Sequence, residues 1–90
     1  ALAERALVLD PAFGPAYVLR GVMTADPVAS EADLRRGIAL SPSDADAHLA
    51  LGELLSTQPG RTTEALASLE RAATLDPLRP RAAYLRAIVR

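Results

Sequence analysis

The sequence predicts an all-α chain built from repeated helical hairpins, and three observations predict it. The apolar half of the chain is carried by Ala and Leu, with one Phe, two Tyr and no Trp among 90 residues, and such a composition favours helix over sheet. Two sequence marks recur at one period. The first is Ala-Leu-Val-Leu-Asp-Pro, Gly-Ile-Ala-Leu-Ser-Pro and Ala-Thr-Leu-Asp-Pro, closing on Pro11, Pro42 and Pro77, which stand 31 and 35 residues apart. The second begins five residues after each proline, at Ala16-Tyr17-Val18-Leu19-Arg20-Gly21, Ala47-His48-Leu49-Ala50-Leu51-Gly52 and Ala82-Ala83-Tyr84-Leu85-Arg86-Ala87. Between the marks apolar residues recur with helical spacing, and no stretch alternates with period two long enough for a strand.

The elements follow in order. Residues 1–9 form a helix with an apolar stripe at Leu2, Ala3, Ala6 and Leu7, closed by Asp10-Pro11. A second helix over 13–25 carries the first Tyr-Val-Leu-Arg-Gly mark, and a third over 28–40 starts near Ser30, where Ser30 and Asp33 resemble a capping box. The fourth, 45–57, begins after Ser43, paired in the same way with Asp46. Pro59-Gly60 stops it, and Thr62 or Thr63 caps the fifth, 63–75, whose stripe is Ala65, Leu66, Leu69, Ala72 and Ala73. A sixth helix covers 79–90, with Pro80 in its first turn, where proline is tolerated. Connections of two to six residues make sequential helices antiparallel neighbours. Leu34, Leu51, Leu54, Leu66 and Leu69 are the expected core, with Gly52 at a close helix crossing.

Composition also excludes. A formal charge of -1 and the absence of cysteine argue against a general nucleic-acid binder, a zinc ribbon and a disulfide frame. No apolar run is long enough to span a membrane. The ten basic residues are all Arg, with no Lys and no Asn, a bias expected of a GC-rich, bacterial genome. The chain opens in mid-helical pattern without a signal segment, which suggests a piece of a larger, cytoplasmic protein.

These residues resemble the tetratricopeptide (TPR) family, whose 34-residue helix–turn–helix places small or aromatic residues in its first helix, small ones where helices touch, and a closing proline. The resemblance covers the whole chain as one array, 1–90: a second helix (1–11), a repeat (12–42), another (43–77) and a first helix (78–90). Tyr17 matches the family's early aromatic, replaced by His48 and Ala83; Leu51-Gly52 keeps its Leu-Gly pair, which reads Arg20-Gly21 and Arg86-Ala87 elsewhere. Ser30 and Ala65 open the second helices, Leu34 and Leu69 follow four later, and Ala6, Gly37 and Ala72 take the later small place. The resemblance implies an α-solenoid of stacked antiparallel hairpins in a right-handed superhelical array, with the first helices lining a concave groove for peptides or partner helices. The groove places are Val18 and Val22, Leu49 and Glu53, Tyr84 and Ile88, with Asp46 and Arg81 near the helix starts.

Chemistry is sparse. His48 stands one turn after Asp44, but one His and one carboxylate give too few ligands for a metal, and His48 takes the place of a packed aromatic. No phosphate loop, nucleophile pair or carboxylate pair is present, so no catalytic, cofactor-binding or metal residue is expected. Arg35-Arg36 and Arg79/Arg81 read as solvated faces with local ion pairs. The expected function is a protein-interaction scaffold, not an enzyme. Its expected partner is an apolar segment in preference to an acidic C-terminal tail, because the Lys and Asn side chains that clamp such tails in the family are missing. The alternatives are a self-assembly module stacking through its end helices, or a regulatory module fused to an enzyme or transcription factor.

Overall fold

The computed structural model describes residues 2–78 together with 87 and 88. Among the described residues it is all-helical, without a strand. Its helices are α1 (Leu2–Leu9), α2 (Gly14–Met23), α3 (Pro27–Leu40), α4 (Ala45–Ser56) and α5 (Thr62–Leu75). Each falls within a residue or two of the span its apolar period predicts. Ala87 and Ile88 are helical; the rest of the expected sixth helix, with Pro80, lies outside the described residues. The chain divides into two compact units, Ala1–Ser43 and Asp44–Arg90, and the division falls just past Pro42.

Helix ends follow local chemistry, though not always through the residues the sequence suggests. α3 starts earlier than expected, with Pro27 in its first turn and Asp26 as N-cap, the Asp26 carboxylate accepting from the Val28 amide at 3.3 Å. Ser30 therefore lies inside the helix and caps nothing. Its buried hydroxyl donates to the Gly21 carbonyl at 2.7 Å, tying α3 to α2. α4 is capped by Asp44 rather than by Ser43: its Oδ1 accepts from the amides of Asp46 and Ala47 at 3.0 and 3.3 Å. α5 begins at Thr62 with Arg61 at its N-cap position and no side-chain cap, so neither threonine plays the expected role. Arg61 instead fastens the turn, donating to Gln58 at 3.0 Å and to Glu64 at 2.7 Å. Gly60 in that turn has φ of 78°, a backbone state in which any Cβ is strained. α3 and α5 both stop one residue before an X-Pro pair, at Ser41-Pro42 and Asp76-Pro77, because the residue before proline disfavours helix.

In the first unit α2 packs on α3, and α1 packs on α2. The α2–α3 hairpin is antiparallel: Gly14 meets Gly37 and Ser41 at one end, while Gly21 meets Ser30 and Leu34 at the other. In the second unit α4 packs on α5 in the same way, Gly52 meeting Leu69 and the Ala65 carbonyl. The two hairpins use matching residues for matching contacts. Gly21 against Ser30 and Leu34 becomes Gly52 against Ala65 and Leu69, 31 and 35 residues further along. At Gly52 there is no room for a Cβ, and at Gly21 one would stand 3.0–3.1 Å from Leu34, so at both crossings the leucine of the second helix lies against bare backbone. Leu34, Leu55 and Leu69 are the largest fully buried side chains, each contributing about 1.5–3 kcal/mol of apolar burial. Leu51 is buried as expected, whereas Leu54 and Leu66 are only half-buried.

Candidate functional site

The first helix of each hairpin carries the residues expected to line a groove, and their exposure divides them. Val22 is 61% exposed and Asp46 is exposed, while Glu53 is half-buried. Val18 and Leu49 are not solvent-facing: they retain only 8% and 6% of their surface. Val18 lies against Gly37 of α3, and Leu49 joins Leu69 and Ala72 in the second core. The reason is the stripe on which they sit. Residues 14, 18 and 21 recur at i, i+4 and i+7, and all three turn towards α3; 45, 49 and 52 stand at the same places on α4. Arg81 and Tyr84 lie outside the described residues. Ile88 is 60% exposed.

One residue further along α2, Leu19 takes the outward place instead, while its counterpart on α4, Ala50, is half-buried. Leu19 is 42% exposed, and with Val22 and Met23 it leaves three large apolar side chains on the outer side of α2. The corresponding side of α4 carries Asp46, Ala50 and Glu53. The signal that could have placed Leu19 was the pair of glycines, Gly14 and Gly21, which marks the buried stripe and so fixes the other faces.

Electrostatics are concentrated at the α2–α3 seam. The Arg20 guanidinium meets both Asp33 oxygens, Nε at 3.0 Å and Nη2 at 2.8 Å, in the fork geometry that makes such pairs strong. The hydrogen bond to Asp33 raises the Arg20 pKa above its usual value, with burial opposing it and the charge of Asp33 adding to it. Tyr17 lies beside this pair, with the guanidinium carbons of Arg20 and Arg36 at 5.3 and 5.9 Å from its ring centre, within cation–π range. A cleft of about 170 Å³ opens between Ala3 and Glu4 of α1 and Arg20, Met23 and Thr24 at the α2 end. It is smaller than the several hundred Å³ typical of small-molecule sites.

His48 is half-buried on α4, and Asp44, one turn earlier, uses its carboxylate to cap the helix. Among the described residues no three His, Cys, Asp or Glu side chains come together as a metal site. No described helix is long and apolar enough to cross a membrane. No protein-family model matches the chain, and no curated protein matches it.

Proposed function

We propose that this chain is a protein-interaction module: a stack of TPR-like hairpins, wound as a right-handed array, that binds a partner segment along the outer side of its first helices. The observation that carries the reading is the apolar outer side of α2, where Leu19, Val22 and Met23 are 42–67% exposed beside a well-packed hairpin core. Apolar side chains grouped on a folded surface mark interaction sites. The matching glycine–leucine crossings of the two hairpins support a repeated unit. α1 supports stacking, because it stands where α3 and α5 stand relative to the repeat marks and packs against the α2 that follows it.

The partner fitting this face is an amphipathic helix that turns its apolar residues towards Leu19, Val22 and Met23 of α2. Calorimetric titration with an amphipathic Leu/Lys helix tests it. The reading expects saturable binding that Leu19→Glu and Val22→Glu abolish, with the helical circular dichroism unchanged. Absence of binding, or binding indifferent to both substitutions, refutes it.

One observation favours self-assembly as a second reading. Leu9 is 84% exposed, whereas Leu40 and Leu75, at the same place in α3 and α5, are half-buried. A second copy covering α1 would remove that difference. Sedimentation over a wide concentration range decides it: association that Leu9→Glu suppresses supports this reading, and a monomer at every concentration refutes it.

A further inference from the structure

The outer side of α2 carries the only thioether of the chain. Met23 is the single methionine among the 90 residues, which include neither cysteine nor tryptophan. It closes α2 and is 67% exposed, beside Leu19 and Val22 at 42% and 61%. Leu19, Val22 and Met23 stand at i, i+3 and i+4, so they share one side of the helix. Met23 also lines the cleft of about 170 Å³ between α1 and the α2 end, with Ala3, Glu4, Arg20 and Thr24.

Peroxides oxidise the sulfur side chains, and exposure governs which of them react. With no thiol in the chain to compete, the exposed Met23 sulfur is the atom that such an oxidant meets first. The product, methionine sulfoxide, replaces a flexible apolar side chain by a polar one and disrupts contact surfaces that use methionine. Leu19 and Val22 have no comparable chemistry, so Met23 is the one member of the apolar trio whose polarity can change and be restored. The change falls on surface rather than on packing, because the buried apolar residues of this unit, Ala3, Ala16, Val18 and Leu34, do not include Met23.

We propose that Met23 is a reversible oxidation site for hydroperoxides, and that its sulfoxide form closes the outer side of α2 to a partner helix. The site lies within one unit, Ala1–Ser43. Its consequence rests on the docking proposed above; its chemistry does not. A sulfur lone pair attacks one oxygen of hydrogen peroxide, the S–O bond forms as the O–O bond breaks, and the second oxygen leaves as water. Sulfur loses the two electrons that the peroxide gains. A thiol-dependent sulfoxide reductase reverses the step: the oxygen leaves as water and two thiols become a disulfide.

Treatment of the chain with hydrogen peroxide, followed by intact mass and by titration with the amphipathic Leu/Lys helix, is the test. The proposal expects a gain of one oxygen per chain at a rate close to that of free methionine, with the helical circular dichroism unchanged. Affinity for the helix falls about tenfold or more, the scale of one polar group left without a partner at an apolar contact. Methionine sulfoxide reductases for both epimers restore it. Met23→Leu keeps, after peroxide, whatever affinity it has before. No oxygen gain while free methionine in the same solution is oxidised overturns the site. An affinity unchanged by oxidation, a loss that the reductases do not reverse, or an equal loss in Met23→Leu overturns the switch. Collapse of the helical signal on oxidation overturns it too, since the sulfur would then support the fold rather than the face. If the untreated chain does not bind the helix, the docking on α2 falls and the switch with it, while the mass still decides the oxidation site.

Discussion

Replacing Gly52 by Ala sets two effects of opposite sign against each other, and the structure says which wins. Glycine in a helix interior is about 1 kcal/mol worse than alanine, so at an open position the change would stabilise. At Gly52 a Cβ would stand 2.6 and 2.7 Å from Cδ2 and Cγ of Leu69 and 3.3 Å from the Ala65 carbonyl. Ordinary carbon contacts lie at about 3.5–4.0 Å, so the overlap is close to 1 Å. It involves the branch point of Leu69 as well as its tip, and Leu69 is fully buried, so it has little room to turn aside. Overpacking of this kind costs about 1–3 kcal/mol, leaving Gly52→Ala destabilising by about 0–2 kcal/mol. Leu69→Ala alone should cost about 2–5 kcal/mol. With Leu69 truncated the clash disappears, so adding Gly52→Ala should now stabilise by about 1 kcal/mol, through propensity and a smaller cavity. The cycle therefore predicts a coupling of about 2 kcal/mol and a change of sign for Gly52→Ala. Urea unfolding followed by circular dichroism, with a stabilising osmolyte for the weaker variants, measures all four proteins. If Gly52→Ala stabilises both backgrounds equally, α4 and α5 do not cross where described.

Four further outcomes follow from local geometry. Asp44→Ala should cost about 1 kcal/mol of stability, because two helix amides lose their acceptor, while Ser43→Ala stays within about 0.5 kcal/mol; thermal unfolding of the two variants checks this. Gly60→Ala meets no neighbour but must hold φ of 78°, so it should destabilise by about 1–2 kcal/mol, read from the same unfolding curves. Leu49→Glu should unfold the second hairpin, since it buries an unpaired carboxylate, whereas Val22→Glu should leave the helical signal intact; circular dichroism of the two variants separates them. Asp33→Ala should lower stability by about 1 kcal/mol at low salt and by less at high salt, as the paired guanidinium is partly exposed to solvent; urea unfolding at the two salt concentrations measures the difference.

The fold was readable because its information is local and repeated. Proline marks end α3 and α5, small residues mark the crossings, and the spacing of residues 65, 69 and 72 by itself names the buried side of α5. Helix starts were harder to read. Ser30 and Ser43 carry the right side chains for caps, but Asp26 and Asp44 stand at the positions whose carboxylates reach the free amides, and Pro27 lets α3 begin a turn before Ser30. The groove residues were only partly legible. Val18 and Leu19 are both apolar neighbours on one helix, and a register borrowed from a resemblance turned the wrong one outward. The glycines at 14 and 21 decide the matter, since a helix side that lacks side chains is the side another helix approaches. The Arg20–Asp33 pair was out of reach, because pairing depends on which acid a neighbouring helix supplies, and here α3 supplies Asp33 across the seam.

The functional proposal rests on a partner docking on the outer side of α2, where Leu19, Val22 and Met23 are exposed. Amide and methyl chemical-shift mapping of the labelled chain, titrated with the amphipathic Leu/Lys helix, tests it most directly. Progressive shifts are expected at Leu19, Val22 and Met23 in α2, with the buried Leu34 and Leu69 little changed. Shifts centred instead on α3 and α5, or none at saturating peptide, would contradict it.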